Sequence, residues 1–420
     1  MGDGLRGQGV AMTKAKRGFW RWLGFSLAGV LVLVALGLVW LIFLGGVALT
    51  DRAMLWQMIR GIDAEPPTSA QVTEQLIPAD GFEITLWATG LPSARILLPL
   101  ATGDVLLTQP RGGLVTLLEA DRDGDGVSDG RQVLLRDLDR PNGIDFHDGW
   151  LYLAEATRIV RRRFDPSTRQ LGEPEVVIQG LSADGSHWRK TVRIGPDGAL
   201  YLGQGSTCNV CLEADPRRAT MMRFNLDGSS GVIFATGTRN PYGFDWAPWD
   251  NSLYATENGR DLLGDDLPSD ELNRIMEGGF YGWPHVHGRA LRDPKWADGY
   301  EARIAEAIPP AHEFGAHVAP LGIRFLRHPD RPSGYARAAL VALHGSWNRS
   351  TPSGYEVVSL HFDDLGGIEE RRFVSGFRRD SLLLGRPVDV AEGVDGEIYI
   401  TDDYSGVVYR VRASERPRND

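Results

Sequence analysis

The stretch P-D-G-A-L-Y-L-G-Q, from Pro196 to Gln204, runs a tight turn straight into a short alternating strand. Asp-Gly supplies the turn, and the residues after it alternate between two faces, as a half-buried or fully buried strand requires. The same phrase returns as H-D-G-W-L-Y-L-A-E from His147, W-D-N-S-L-Y-A-T-E from Trp249 and V-D-G-E-I-Y-I-T-D from Val394. Looser copies are T-G-D-V-L-L-T-Q from Thr102 and A-A-L-V-A-L-H-G from Ala338. The units recur at roughly 45–55-residue intervals, with one interval near 90 that must hold an insertion. Period-2 strands at this spacing predict an all-β fold, a six-bladed β-propeller. A pair of separate β-sandwiches predicts no such shared phrase. Phe82–Ala88 reads as an early strand that pairs with the last, Val407–Val411, and so removes the open edges of the ring.

The composition suits such a fold. The chain has 420 residues, 42% of them hydrophobic, with 51 Gly and 24 Pro for many turns. Its net charge of −10 argues against a nucleic-acid partner and favours a neutral or weakly charged small molecule. No charge occurs from Trp22 to Thr50, long enough for a transmembrane helix and longer than a signal-peptide core, with no clear A-x-A site. Lys14, Lys16, Arg17 and Arg21 precede it, and Trp20, Trp22 and Trp40 sit near its ends. The positive-inside rule puts residues 1–21 in the cytoplasm and everything after a single anchor, 22–50, on the far side. The expected layout is then a linker over 51–80, the propeller over 81–412 and a tail over 413–420, on the periplasmic face of a bacterial inner membrane. The two cysteines, Cys208 and Cys211 in C-N-V-C, read as a disulfide pinning a tight loop; zinc would need ligands from elsewhere, and a redox pair would want a βαβ context.

Chemistry concentrates between Gly237 and Pro284, in G-T-R-N-P-Y-G-F-D-W, T-E-N-G-R and G-G-F-Y-G-W-P. With G-S-H-W-R-K-T-V-R-I-G-P-D-G around His187, and H-G-S-W-N-R at His344–Arg349, these motifs resemble the glucose/sorbosone dehydrogenase family of quinoproteins. The likeness covers about Gly81 to Arg412, and the last motif looks like the membrane-linked sorbosone dehydrogenase branch. The resemblance implies a six-bladed propeller holding pyrroloquinoline quinone (PQQ) and Ca²⁺, which oxidises a sugar or related aldehyde or alcohol. It implies that His187 is the general base, taking the hydroxyl proton while hydride passes to the quinone C5, with a pKa near ambient pH. Ser206 stands where soluble relatives place an orienting Asp, so Ser206 or a backbone carbonyl is expected to orient the ring.

Arg239 and Asn240 match the R-N-P pair that holds the quinone, with Arg239 also stabilising the reduced cofactor. Tyr242 replaces a family Gln. Gly259 and Arg260 match the turn whose carbonyls bind the cofactor's calcium. Arg386 keeps the first Arg of a family R-x-R, Val388 replaces the second, and Trp347, Asn348 and Arg349 are candidates to compensate, Trp347 also by stacking. Arg95, Gln109 and Arg111 are expected on loops reaching the same face, as are Asn142 and Glu155. Substrate specificity is expected in the insertion between the fourth and fifth units, including Trp283 to Pro310. No C-x-x-C-H haem motif is present, so electrons need an external acceptor, a membrane quinone or a cytochrome. A non-catalytic propeller that has lost the cofactor is the alternative, supported by Ser206, Tyr242 and Val388; a Ca²⁺-dependent lactonase would need acidic ligands on the axis. Separately, Asp121, Asp123, Asp125 and Asp129 in D-R-D-G-D-G-V-S-D follow EF-hand spacing, with Gln132 where the bidentate Glu belongs, so the loop is either a partial structural Ca²⁺ site or a solvated acidic turn.

Overall fold

The computed structural model describes residues 64–414 and, before them, residues 29–30, 32–34 and 36–37, which are helical. Most of the expected anchor lies outside the described residues, among which no helix is long and apolar enough to cross a membrane. Residues 64–414 fall within one compact unit, Thr50–Asp420.

That unit is a ring of sheets whose four main strands are antiparallel and follow one another along the chain except where the ring closes. The first blade comprises Leu97–Pro99, Val105–Gln109, Leu114–Leu118 and Arg131–Leu135, counted outward from the axis. Inner strands Ile144–His147, Lys190–Ile194, Pro241–Trp246, Pro320–Phe325 and Pro387–Glu392 begin the other five. The phrase that recurs in the sequence is the second strand of each blade. Leu200–Gln204 and Ile398–Asp402 are buried at every position, because sheets press on both faces.

The predicted closure forms. Phe82–Ala88 lies antiparallel on Val407–Ala413 and becomes the outer strand of the sixth blade. Two departures from expectation concern the linker and the insertion. Within the stretch read as linker, Ser69–Gln75 is a helix with a Thr68–Gln71 capping box, and Ile77–Pro78 adds an edge to the fifth blade beside Ile368–Ser375. The insertion lies inside the fourth blade, between its third strand Ser269–Ile275 and outer strand His312–Ala316. Its Gly279–Phe280 pairs in parallel with the third blade's Val232–Thr236, so it bridges two blades.

Hydrophobic clusters fill the wedges between consecutive blades: Trp87, Leu97, Val105 and Tyr399 join the sixth to the first, and Phe244, Leu253, Tyr201 and Met221 join the third to the fourth. Near the axis the ties are polar. Asp145, Asp245 and Asp389 each accept a backbone N–H from the next blade's inner strand, at Ile194, Phe325 and Leu97, over 2.7–2.9 Å. Thr256 and Thr401 donate to Leu321 and Arg95 carbonyls at 2.6 and 2.7 Å. Gly243 is required here, since a Cβ would stand 2.2 Å from Leu321 O. Burial without water makes each tie worth more than its surface equivalent. The ties at Leu97, Leu321 and Arg95 hold the starts of the inner strands, where the site is built, and those at Ile194 and Phe325 hold their far ends.

Candidate active site

At one end of the ring, the residues leading into the inner strands meet the connections that follow the second strands. They enclose a cavity of about 260 Å³ lined by Arg95, His187, Arg189, Arg239, Asn240, Tyr242, Asp270, His344, Trp347 and Arg386, among others. His187 sits three residues ahead of its strand Lys190–Ile194, on the connection from the second blade, rather than at the strand's first residue. Its Nδ1 lies 2.9 Å from Ser206 Oγ and 3.1 Å from Ser206 O. Ser206 Oγ spends its own proton on Cys208 O at 2.6 Å, so toward the imidazole it accepts. The hydrogen-bond network therefore assigns the proton to Nδ1 and leaves Nε2 with its lone pair. Both expected substitutes for the family Asp, hydroxyl and carbonyl, act together.

Burial, then the charge of Arg239, pushes His187 down to about 3. This lies well below the expected value near ambient pH, and the imidazole is neutral across the physiological range. Arg218 braces the same corner, donating to the carbonyls of Gly205, Ser206 and His187.

Arg239 is 4% exposed. Its guanidinium binds Asn209 O at 2.9 Å, Asn209 Oδ1 at 3.0 Å, Asn258 O at 3.1 Å and Asp261 Oδ2 at 2.8 Å. Asn209 lies between Cys208 and Cys211, which form the expected disulfide. The same Asn209 accepts from Asp261 N and donates to Asp261 O, so the disulfide loop ties Arg239 to the Gly259 turn. Asn240 donates from its backbone to Glu257 Oε1 at 2.7 Å and from its side chain to Asn258 Oδ1 at 3.0 Å. Tyr242 lies in the cavity wall, its hydroxyl held by Arg95 at 2.6 Å and facing Asn142 Oδ1 at 3.3 Å. Trp347 is 37% exposed on the lining, and Arg386 reaches it while donating to His344 O and Gly345 O.

Other expected members stand apart. Gln109 turns into its own blade, bonded to Thr116 and Pro92 O. Arg111, Asn348 and Arg349 are absent from the lining, and Arg349 instead clasps Asp265 O and Asp266. Glu155 is buried against Asp139 N and Arg158. The Arg260 side chain pairs with buried Asp293 away from the cavity, so only its main chain remains available to the turn. The Asp121–Asp129 loop lies at the rim of the first blade, between its third and fourth strands.

The sequence reading missed Arg189, His344, Asp403 and Asp270. Arg189 adjoins His187; burial, then the charge of Arg95, pushes it down to about 10, and its Nε has no hydrogen-bond partner. His344 Nε2 meets Asp403 Oδ1 at 2.9 Å, and Asp403 Oδ2 meets Arg95. Asp270 accepts from Gly259 N and Ala319 N, both at 2.7 Å, and burial lifts it to about 7. Behind the turn, Glu257 Oε2 is buried without a partner. Four lining arginines, one short of acceptors, fit a planar polycarboxylate, and the oxygen-rich turn with under-compensated buried acids fits a hard divalent cation.

The glucose/sorbosone dehydrogenase family model matches residues 151–410. An uncharacterised protein of Borreliella burgdorferi is 32% identical over 294 residues, 66% of this chain and 77% of that one. Quinoprotein glucose dehydrogenase B of Acinetobacter calcoaceticus is 27% identical over 268 residues, 52% of this chain and about half, 54%, of that relative. Among solved structures, the holo form of the pyranose dehydrogenase PQQ domain from Coprinopsis cinerea has the same fold, with a TM-score of 0.70 at 20% identity over 83% of this chain and 98% of that one.

Proposed function

Because the chain belongs to the glucose/sorbosone dehydrogenase family, we propose that it oxidises a sugar or a related aldehyde or alcohol with pyrroloquinoline quinone and Ca²⁺. The observation that carries this reading is His187, a neutral imidazole whose Nε2 is left unprotonated by the hydrogen bonds of Nδ1, on a cavity lined by four arginines.

Bound there, the quinone supplies a two-electron acceptor that no side chain can provide. Arg189, Arg386 and Arg95 would meet its carboxylates, and Arg239, locked by Asn209 and Asp261, would supply positive charge to stabilise its reduced form. Trp347 offers a flat partly exposed ring for stacking. The main chain at Gly259 and Arg260, with Asp270 beside it, would hold Ca²⁺. His187 Nε2 accepts the substrate hydroxyl proton, and Ser206 stabilises the resulting imidazolium through Nδ1. Electrons leave to an external acceptor, a membrane quinone or a cytochrome. The apolar run over 22–50 anchors the chain once in the bacterial inner membrane, with the propeller in the periplasm.

Reconstitution tests this reading: the quinone and Ca²⁺ are added to purified apo-protein, and dye reduction is followed across a sugar panel. Micromolar or tighter cofactor binding with turnover is expected. His187→Ala should bind the quinone and lose about 10²–10⁴-fold in turnover. Absence of binding would overturn the cofactor assignment, and undiminished turnover in the variant would overturn the base.

A further inference from the structure

The Asp121–Asp129 loop takes no part in the chemistry above, yet it occupies the seam where the ring closes. Ser128 N donates to Trp87 O at 2.9 Å, a carbonyl of the closing strand Phe82–Ala88. Asp121 Oδ2 pairs at 2.8 Å with Arg410 from the neighbouring strand Val407–Ala413. Glu119, just ahead of the loop, binds Arg169 of the second blade. The loop thus touches the sixth blade, and the residue leading into it touches the second.

One carboxylate oxygen in its interior is left unsatisfied, although Gly126 N and Arg410 both engage the other oxygen of the same Asp121. The Asp121 side chain is 1% exposed, and its Oδ1 has no hydrogen-bond partner. Carboxylate oxygens of Asp121, Asp123 and Asp129 lie within 4.8 Å of one another. Arg410 engages the other oxygen of Asp121, while the Arg122 guanidinium pairs with Asp104, so neither meets Oδ1. Three converging hard oxygens with spacing 1, 3 and 9, a glycine at position 6 and no nitrogen or sulfur ligand suit Ca²⁺ better than the strictly octahedral, tightly hydrated Mg²⁺.

We propose that this loop binds one Ca²⁺ through Asp121, Asp123 and Asp129, and that the ion latches the first blade to the sixth. With Gln132 in place of the bidentate Glu, affinity falls in the weak class of extracellular modules, about 10⁻⁴–10⁻³ M. The ion belongs to the ring closure and not to the cavity.

The test uses the quinone-free full chain in detergent. Raising Ca²⁺ to about 10 mM should lift the thermal midpoint by about 2–4 °C. In Asp123→Asn/Asp129→Asn, both exposed positions, that shift should shrink by the share of this loop and one bound Ca²⁺ per chain should be lost by equilibrium dialysis. Terbium luminescence sensitised by Trp87 gives a second readout, expected in the native chain and lost in the variant. Equal midpoint shifts and equal stoichiometry in both proteins would overturn the proposal, as would the absence of any Ca²⁺ response in the native chain, which would mean that Arg410 alone closes the loop. The quinone is absent throughout, so failure here leaves the reading of the cavity untouched, and failure of that reading leaves this one standing.

Discussion

His187 titrates far from its ordinary range, and the sign of the consequence is fixed by linkage. In the folded chain, burial and Arg239 hold it down to about 3; in the unfolded chain it returns to about 6.5. Between about pH 4 and 6 the unfolded chain therefore carries a proton that the folded chain lacks, and stability falls as pH falls, by up to about 1.4 kcal/mol per pH unit from this group. His187→Gln should remove that increment, giving a shallower dependence of unfolding free energy on pH over this window in urea titrations. Equal slopes in the two proteins would mean that the folded imidazole takes up protons near its usual pKa. The same neutrality leaves Nε2 unprotonated across the physiological range.

At the scale of the element, the Cys208–Cys211 loop is a positioning device. Replacing both cysteines with serine costs about 2 kcal/mol by the chain-entropy account, and it also releases Asn209, which holds both Arg239 and Asp261. Quinone affinity measured by calorimetry should weaken along with the thermal midpoint; an unchanged affinity would show that Asn258 and Asp261 suffice to hold Arg239. The second strands were legible in the sequence because a strand buried on both faces after a tight turn leaves little choice of residue, six times over. Phe82–Ala88 was legible by the same alternation. The cavity was legible where one motif carries several members, as in R-N-P-Y. It was not where members are scattered, as with His344 and Asp403, which are 59 residues apart and meet only because the fifth and sixth blades adjoin. Direction was also hidden: Gln109, at the end of its strand, and Arg349, on its loop, both turn away, and no local pattern reports a side chain's heading. The insertion's strands, two residues long, carry no period at all.

For the whole molecule, the proposed anchor predicts a simple partition. The full chain should sediment with membranes after alkaline carbonate washing, while a chain beginning at residue 64 should stay in the supernatant; full-length protein in the supernatant would remove the anchor from the proposal. The closing strand has a different consequence, in time rather than space. Thr85 and Arg410 are 325 residues apart in the chain, so the first strand of the ring emerges from the ribosome long before its partner exists. Until the last strand is synthesised, Phe82–Ala88 waits as an unpaired edge beside apolar surface that Trp87 will later fill. Any chain whose synthesis stops early keeps that edge exposed, which makes incompleteness of the C-terminus chemically visible at the N-terminal end.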